Sequence, residues 1–125
     1  MKKDKQIEIY KGTDGEIIFN VDSENETIWA TQEQIAKLFG VNRTVIGRHI
    51  KNIIDSGELV EESICSILEH MAGGRIYKTK LYNLDAIISI GYRINSKEAT
   101  NFRKWSREIL KQYMRKGFVI NKELL

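Results

Sequence analysis

The first thirty residues alternate between apolar and polar positions, which is the pattern of β-strands. Ile7 and Ile9 alternate with polar residues, and a second, mainly apolar stretch covers residues 17–21. Between them, residues 11–15 have the sequence Lys-Gly-Thr-Asp-Gly, whose residue types favour a turn. We therefore predict a hairpin here, followed after the polar residues 22–26 by a short strand over residues 27–30.

From Thr31 the apolar positions follow the helical period instead. Thr31 and Gln34 have the spacing of a capping box, which satisfies free backbone N–H groups at the start of a helix. Gly40 can take the positive φ that ends this helix. Asn42 is a suitable N-cap for a second helix over residues 43–55, which the following Ser-Gly pair ends.

Two short helices joined by a tight turn are typical of a helix-turn-helix. At about 100° per residue, one side of the second helix carries Ile46, Ile50 and Ile53, which we expect to face inward. The opposite side carries Thr44, Arg48 and Lys51. A recognition helix presents such a polar, cationic side to the major groove of DNA. An ordinary amphipathic helix with solvated cations is the alternative interpretation.

Residues 64–71 and 76–82 resemble two further strands, and the Gly-Gly pair between them favours a hairpin loop. In this register Glu69 faces Lys78, a favourable cross-strand pair. A hairpin directly after a helix-turn-helix is typical of a wing, which lies along the DNA backbone or in the minor groove. The alternative is an ordinary sheet edge protected by lysines.

Two helices are expected at the C-terminal end of the sequence. The first begins at Asn83 or Asp85 and ends near Ile94, and the second covers residues 96–116, with Gly117 as its stop. The second helix has an apolar stripe of Phe102, Trp105, Ile109 and Tyr113. This stripe either closes the core or forms the seam of a homodimer, and both arrangements bury the same face.

The composition suits one globular α+β domain, with 125 residues, 42% of them apolar and 30% charged. We divide it into β-strands (1–30), a winged helix-turn-helix (31–82) and C-terminal helices (83–125). Cys65 is the only cysteine, so an intramolecular disulfide or a cysteine-rich zinc site is excluded. Neither a secretory signal nor a membrane-length apolar stretch is evident, so we expect a cytoplasmic protein with no membrane partner.

The net charge of +3 is small, but the charges are segregated along the chain. Residues 42–54 and 70–83 contain bases and no acid, and bases also dominate residues 93–116. Acids collect over residues 22–26 and 55–62. This distribution places the positive charge on the second helix, the hairpin and the last helix, which favours double-stranded DNA as the partner.

The candidate DNA-binding residues follow from these elements. Arg43 or Arg48 is suited to a bidentate contact with guanine, while Lys51 and the Thr31 hydroxyl are suited to phosphate. The full candidate set is Thr31, Asn42, Arg43, Thr44, Gly47, Arg48, Lys51, Arg75, Lys78 and Lys80.

No catalytic, metal or cofactor site is expected. Cys65 and His70 are five residues apart on a predicted strand, so they point to opposite faces and cannot share a metal ion. The glycine pair at the hairpin loop lacks the Lys-Ser/Thr and helix of a phosphate-binding loop. We therefore expect neither an enzyme nor a small-molecule ligand.

Three stretches of the sequence resemble the RhuM family of bacterial proteins. They cover residues 28–43 (IWATQEQIAKLFGVNR) with 50–53 (IKNI), residues 82–96 (YNLDAIISIGYRINS) and residues 102–110 (FRKWSREIL). The last stretch also resembles, more loosely, the amino-terminal domain of phage antirepressors. Members of the RhuM family are usually longer, so the chain is either their amino-terminal domain or a short member.

This resemblance implies a DNA-binding protein of a mobile or virulence-associated locus. Together with the residue patterns, it leads us to expect sequence-specific binding of double-stranded DNA and a role in transcription regulation. The alternative is an antirepressor-like protein-interaction module that acts on a regulator.

Overall fold

A computed structural model describes residues 6–124, with side chains described for residues 6–115. The fold is α+β, as predicted, with a three-stranded sheet, a two-stranded hairpin and five helices in the described part. The elements are β1 (Ile7–Gly12), β2 (Gly15–Asp22), β3 (Thr27–Trp29), α1 (Gln32–Phe39), α2 (Arg43–Asp55), α3 (Glu61–Ile64), β4 (Cys65–Ala72), β5 (Arg75–Tyr82), α4 (Leu84–Ile94) and α5 (Ser96–Leu124).

The N-terminal sheet is antiparallel in the order β1-β2-β3, and one of its faces is buried. Phe19 of β2 lies in the core, and Glu8 of β1 pairs with it in register on the same face. The alternating isoleucines of β1, Ile7 and Ile9, are exposed instead. The polar positions of β1 therefore face inward, because Glu8 and Tyr10 find hydrogen-bond partners on α5.

Helices α1 and α2 begin and end as the sequence predicts. The Thr31 hydroxyl accepts a hydrogen bond from the backbone N–H of Gln34, and the Gln34 side chain accepts one from the N–H of Thr31. Gly40 ends α1 with a φ of 68°. Asn42 occupies the N-cap of α2, although its side chain makes no capping hydrogen bond. The predicted inner face of α2 is buried: Ile46, Ile50 and Ile53.

The turn between β1 and β2 covers the C-terminal end of α1. The backbone N–H groups of Thr13 and Asp14 donate to the carbonyls of Leu38 and Lys37, at 3.0 and 3.2 Å. Because the last carbonyls of a helix have no partner within the helix, these bonds stabilise its end.

Strands β4 and β5 form the predicted hairpin, with Glu69 opposite Lys78 in register. Both loop glycines have positive φ, 59° at Gly73 and 78° at Gly74. The prediction that this strand starts at Ile64 was wrong. Ile64 ends the short helix α3 instead, because its side chain is buried in the core and only the residues after it extend into the hairpin.

Helix α5 packs against the N-terminal sheet through its apolar stripe. The Phe102 ring lies 5.2 Å from the rings of both Tyr10 and Phe19, measured between centroids, and Trp105 lies 4.9 Å from Tyr10. The stripe therefore closes the core, the first of the two expected arrangements. A homodimer through α5 stays a prediction, and it would have to use another face of this helix.

Helix α5 does not stop at Gly117. Its backbone stays helical to Leu124, so this predicted boundary was wrong. A glycine inside a helix costs only about 1 kcal/mol relative to alanine, and the sequence after it contains no proline to break the helix. No helix in the described range has the length and hydropathy that crossing a membrane requires.

Candidate nucleic-acid interface

The outer side of α2 is open to solvent. Thr44, Arg48 and Lys51 are exposed, as the helical wheel predicts, and so are Asn42 and Arg43 at the start of the helix. This outer side is polar and cationic because the buried isoleucines of α2 lie on its opposite side.

A cleft of about 280 Å³ joins the starts of α1 and α2 to strand β5. We call it the Arg43 cleft. It is lined by Thr31, Gln32, Glu33, Arg43, Lys78, Thr79 and Lys80. It brings together candidate residues from three separate parts of the sequence: Thr31, Arg43, Lys78 and Lys80. Thr31 supplies a hydroxyl group there, and the arginine and the two lysines supply positive charge.

A second cleft, of about 320 Å³, continues along α2 toward the base of the hairpin. We call it the Lys51 cleft. It is lined by Gln32, Gly47, Ile50, Lys51, Ile54, Asp55, Glu61, Lys80 and Tyr82. Gln32 and Lys80 line both clefts, so the two clefts lie side by side between α2 and the hairpin.

Gly47 has a packing role that its place in the candidate set did not anticipate. A Cβ atom at this position would lie 3.0 Å from the Nε2 atom of Gln32. That amide also donates to the Arg43 carbonyl, at 3.4 Å. The missing side chain at Gly47 therefore lets the start of α1 pass close over α2 and form the wall of both clefts.

Each of the three candidate lysines has a carboxylate near its ammonium group. The N–O distances are 2.7 Å for Lys51 and Asp55, 3.6 Å for Lys80 and Glu61, and 4.0 Å for Lys78 and Glu69. All of these side chains are well exposed, so each pair is weak and screened by salt. The hydrogen bond from Lys51 to Asp55 raises the pKa of Lys51, which stays charged.

The sequence reasoning recognised only the pair on the hairpin. The pair on α2 has the spacing of one helical turn, a signal that was present in the sequence. The pair of Lys80 with Glu61 joins β5 to α3, an element that the sequence did not indicate.

Arg75 lies apart from the other bases of the hairpin. It pairs in register with Ala72 beside the loop, and side chains alternate between the two faces of a strand. Arg75 is therefore on the opposite face from Lys78 and Lys80. The positive charge of the predicted basic hairpin is therefore divided between two faces, and of its three bases only Lys78 and Lys80 line the clefts.

The hydroxyl group of Thr31 can still donate one hydrogen bond to a ligand. Its hydroxyl oxygen already accepts the capping bond from the Gln34 N–H, at 3.1 Å. A hydroxyl group also carries one O–H donor, and Thr31 directs no hydroxyl hydrogen bond to a described protein group. It can donate that hydrogen to an anion in the Arg43 cleft.

His49 is half-buried, whereas the other titratable residues of α2 are exposed. Burial, followed by the charges of Arg93 and Arg48, lowers the pKa of its imidazole. Its Nδ1 atom is buried and has no hydrogen-bond partner among the described residues. The neutral imidazole is the form that this environment favours.

Cys65 and His70 lie on opposite faces of the hairpin, as predicted from their spacing. Burial raises the pKa of the Cys65 thiol. Across residues 6–115, no group of three or more histidine, cysteine, aspartate or glutamate side chains could hold a metal ion.

Comparison with known proteins found one family. The model of the virulence protein RhuM family matches residues 63–125, about half of the chain. The matched region contains the hairpin from β4 onward, α4 and α5, and it includes the second and third stretches quoted above. No curated protein and no solved structure matches the chain.

Proposed function

Since the chain belongs to the virulence protein RhuM family, and since its Arg43 cleft is lined by an arginine, two lysines and a hydroxyl group against a single acid, Glu33, we propose that it binds double-stranded DNA. In this proposal α1 and α2 form a helix-turn-helix, α2 is the recognition helix and the β4–β5 hairpin is the wing. The order of the elements and the exposed cations of α2 are compatible with this arrangement.

The observation that carries the proposal is the convergence of residues in the Arg43 cleft. Thr31 precedes α1, Arg43 begins α2, and Lys78 and Lys80 come from β5, yet all four line one depression. In this arrangement Thr31, Lys78 and Lys80 supply a hydroxyl donor and two cations for phosphate contacts, and Arg43 lies beside them at the end of α2 that approaches the bases. An amphipathic α2 whose cations are merely solvated, the alternative interpretation, would not account for bases of α2 and β5 lining the same cleft.

Each candidate residue then has a role. Arg43 and Arg48 read base edges, and a bidentate contact with guanine contributes about 1–3 kcal/mol of discrimination. Asn42 and Thr44 lie beside them at the start of α2, the end that approaches bases in this docking mode. The phosphate contacts come from Thr31, Lys51, Lys78, Lys80 and, on the other face of the hairpin, Arg75.

We further propose that this binding is sequence-specific and regulates transcription of a mobile or virulence-associated locus. The arginines at the start of α2 support specificity, because arginine is the side chain best suited to guanine. The family description supports only the association with virulence.

Fluorescence anisotropy of a labelled duplex of mixed sequence tests the proposal. With four cationic phosphate contacts, from Lys51, Arg75, Lys78 and Lys80, affinity should fall by roughly a hundredfold between about 50 mM and about 200 mM salt, because each neutralised phosphate releases condensed counterions. Absence of binding at the lower salt concentration would contradict the proposal.

Variants separate base contacts from phosphate contacts. Lys78→Ala should weaken binding to all duplexes alike, whereas Arg43→Ala or Arg48→Ala should relax the base preference found by selection from a random duplex pool. Lys11→Ala is the matched control, since Lys11 lies on β1 and lines neither cleft. If neither arginine change alters affinity or preference, α2 is not the recognition helix.

One observation favours the alternative, a protein-interaction module that acts on a regulator. The hairpin exposes five large apolar side chains: Ile67, Leu68, Met71, Ile76 and Tyr77. Binding to a protein partner with little salt dependence, and no shift of DNA, would support this alternative over DNA binding.

A further inference from the structure

The end of the β4–β5 hairpin carries an apolar pair that no other described element covers. Met71 and Ile76 lie opposite each other in register. Only the next pair, Ala72 and Arg75, separates them from the Gly73–Gly74 loop. Met71 is 71% exposed and Ile76 is 63% exposed. Large apolar side chains at this level of exposure, placed together at the end of a projecting hairpin, favour a binding role.

The apolar pair lies on the face of the hairpin that carries Lys78 and Lys80. Because side chains alternate along a strand, Ile76, Lys78 and Lys80 share one face of β5. Lys78 and Lys80 line the Arg43 cleft, and Ile76 follows them toward the loop. At about 3.4 Å per residue, Ile76 lies roughly 13 Å beyond Lys80.

That distance is long enough to extend from a phosphate backbone into the next groove of DNA, since the minor groove is only about 6 Å wide. The major groove of B-DNA is about 12 Å wide and is bordered on each side by a phosphate backbone and then the minor groove. If α2 occupies the major groove and the lysines contact its bordering phosphates, the end of the hairpin reaches the adjacent minor groove.

We propose that Met71 and Ile76 form an apolar wedge that enters the minor groove, separates two stacked base pairs and bends the DNA. This inference rests on the proposed DNA binding and adds a deformation to it. Methionine and isoleucine are among the side chains that act as such wedges, and the resulting kinks are roughly 20–90° toward the major groove.

The charge of the residues around the apolar pair supports DNA as the molecule that this pair contacts. Residues 70–83 contain no acid, and they supply Arg75 beside Ile76 and two lysines on the same strand. Each of these two lysines has an exposed carboxylate near its ammonium group, Glu69 at 4.0 Å from Lys78 and Glu61 at 3.6 Å from Lys80. An apolar end flanked by positive charge suits a groove walled by phosphates.

The test measures affinity and bending separately on one probe. A duplex of about 30 base pairs, with flexible TA steps near its centre and a donor and acceptor dye at its ends, reports end-to-end distance by energy transfer. The anisotropy of the same duplex reports binding. At saturation the unaltered protein should raise the transfer efficiency, because bending brings the two ends together.

The double variant Met71→Ala/Ile76→Ala should bind the duplex and leave its transfer efficiency at the value of free DNA. Leu68→Ala is the matched control, since Leu68 is an exposed apolar residue on the opposite face of the hairpin, and it should bend DNA as the unaltered protein does. Thermal unfolding of each protein, followed by circular dichroism, checks that all three fold.

A second probe locates the wedge. 2-Aminopurine placed at successive positions of the duplex should gain fluorescence at one step, where a base loses its stacking partner, and this gain should vanish with the double variant. Salt-sensitive binding without bending, or bending by the double variant, would overturn the wedge and leave DNA binding intact. No binding at low salt would overturn both proposals.

Discussion

Ala30 and Tyr82 exchange two backbone hydrogen bonds, although they are far apart in the sequence. The Ala30 N–H donates to the Tyr82 carbonyl at 2.9 Å, and the Tyr82 N–H donates to the Ala30 carbonyl at 2.7 Å. Ala30 directly precedes the N-cap Thr31, and Tyr82 ends β5. This bridge therefore fixes the base of the hairpin relative to the start of α1, which are two walls of the Arg43 cleft.

We expect the amide hydrogens of Ala30 and Tyr82 to exchange slowly with solvent. Both residues are buried as well as hydrogen-bonded, whereas the hairpin loop is exposed and its opening breaks few contacts. Hydrogen–deuterium exchange followed by NMR should show strong protection at these two amides and much faster exchange at Gly74. Equal exchange rates at Tyr82 and Gly74 would mean that the base of the hairpin is not fixed.

Replacement of Gly40 by alanine should destabilise the protein by about 2 kcal/mol or more. The φ of 68° alone costs a residue with a Cβ about 1 kcal/mol, and that Cβ would lie 2.6 Å from Cγ2 of Thr13. Urea unfolding measures the loss. Gly57→Ala is the control, since Gly57 has a φ of 79° with open space around it, and should show only the conformational cost. Equal losses for the two variants would contradict a close contact between the β1–β2 turn and α1.

Removal of the carboxylate beside Lys78 should strengthen DNA binding. Glu69→Gln removes the 4.0 Å ion pair and a negative charge from the proposed phosphate-contacting surface. Because the pair is exposed, the expected gain in affinity is at most about fivefold. Anisotropy titration at fixed salt measures it. Glu16→Gln, which removes an exposed acid of β2 outside the clefts, should leave affinity unchanged; an equal gain there would indicate a general charge effect.

The free energy of unfolding should rise with pH as His49 loses its proton. Its folded-state pKa is below the ordinary value of 6.5, chiefly because of burial, so the unfolded chain binds the proton more tightly. Stability therefore increases between the lowered pKa and 6.5, and it levels off above that range. Urea unfolding at pH about 5.5 and about 7.5 measures this difference.

His49→Gln should reduce the dependence of stability on pH over this interval. His70→Gln is the matched control, because it makes the same substitution at an exposed position on the hairpin, outside α2. If His49→Gln leaves the stability difference unchanged, the imidazole is not held neutral in the folded protein.

The elements with local signals were predictable from the sequence. The capping box of Thr31, the left-handed Gly40 and the glycine pair of the hairpin each act within a few residues, so their spacing alone indicates the structure. The burial of the α2 isoleucines followed for the same reason, because the period of a helix fixes which side chains share a face.

The relationships between distant segments were not predictable. Nothing near Glu8 or Tyr10 in the sequence indicates that their partners are Tyr113 and Glu98 on α5, so the inward face of β1 could not be identified. Likewise, helix α3 has only four residues, too few for a helical period to be visible. The clefts depend on this tertiary packing, so only their individual residues could be proposed beforehand.

The N-terminal sheet limits how far the chain can be shortened. Its β1–β2 turn covers the last carbonyls of α1 on one side, and Tyr10 and Phe19 meet the aromatic rings of α5 on the other. A fragment beginning at Thr31 would retain every proposed DNA contact and lose the surface on which both helices rest. The smallest unit that could bind DNA in the proposed way is therefore larger than its contact residues suggest, and the strands belong to it as fully as the proposed recognition helix does.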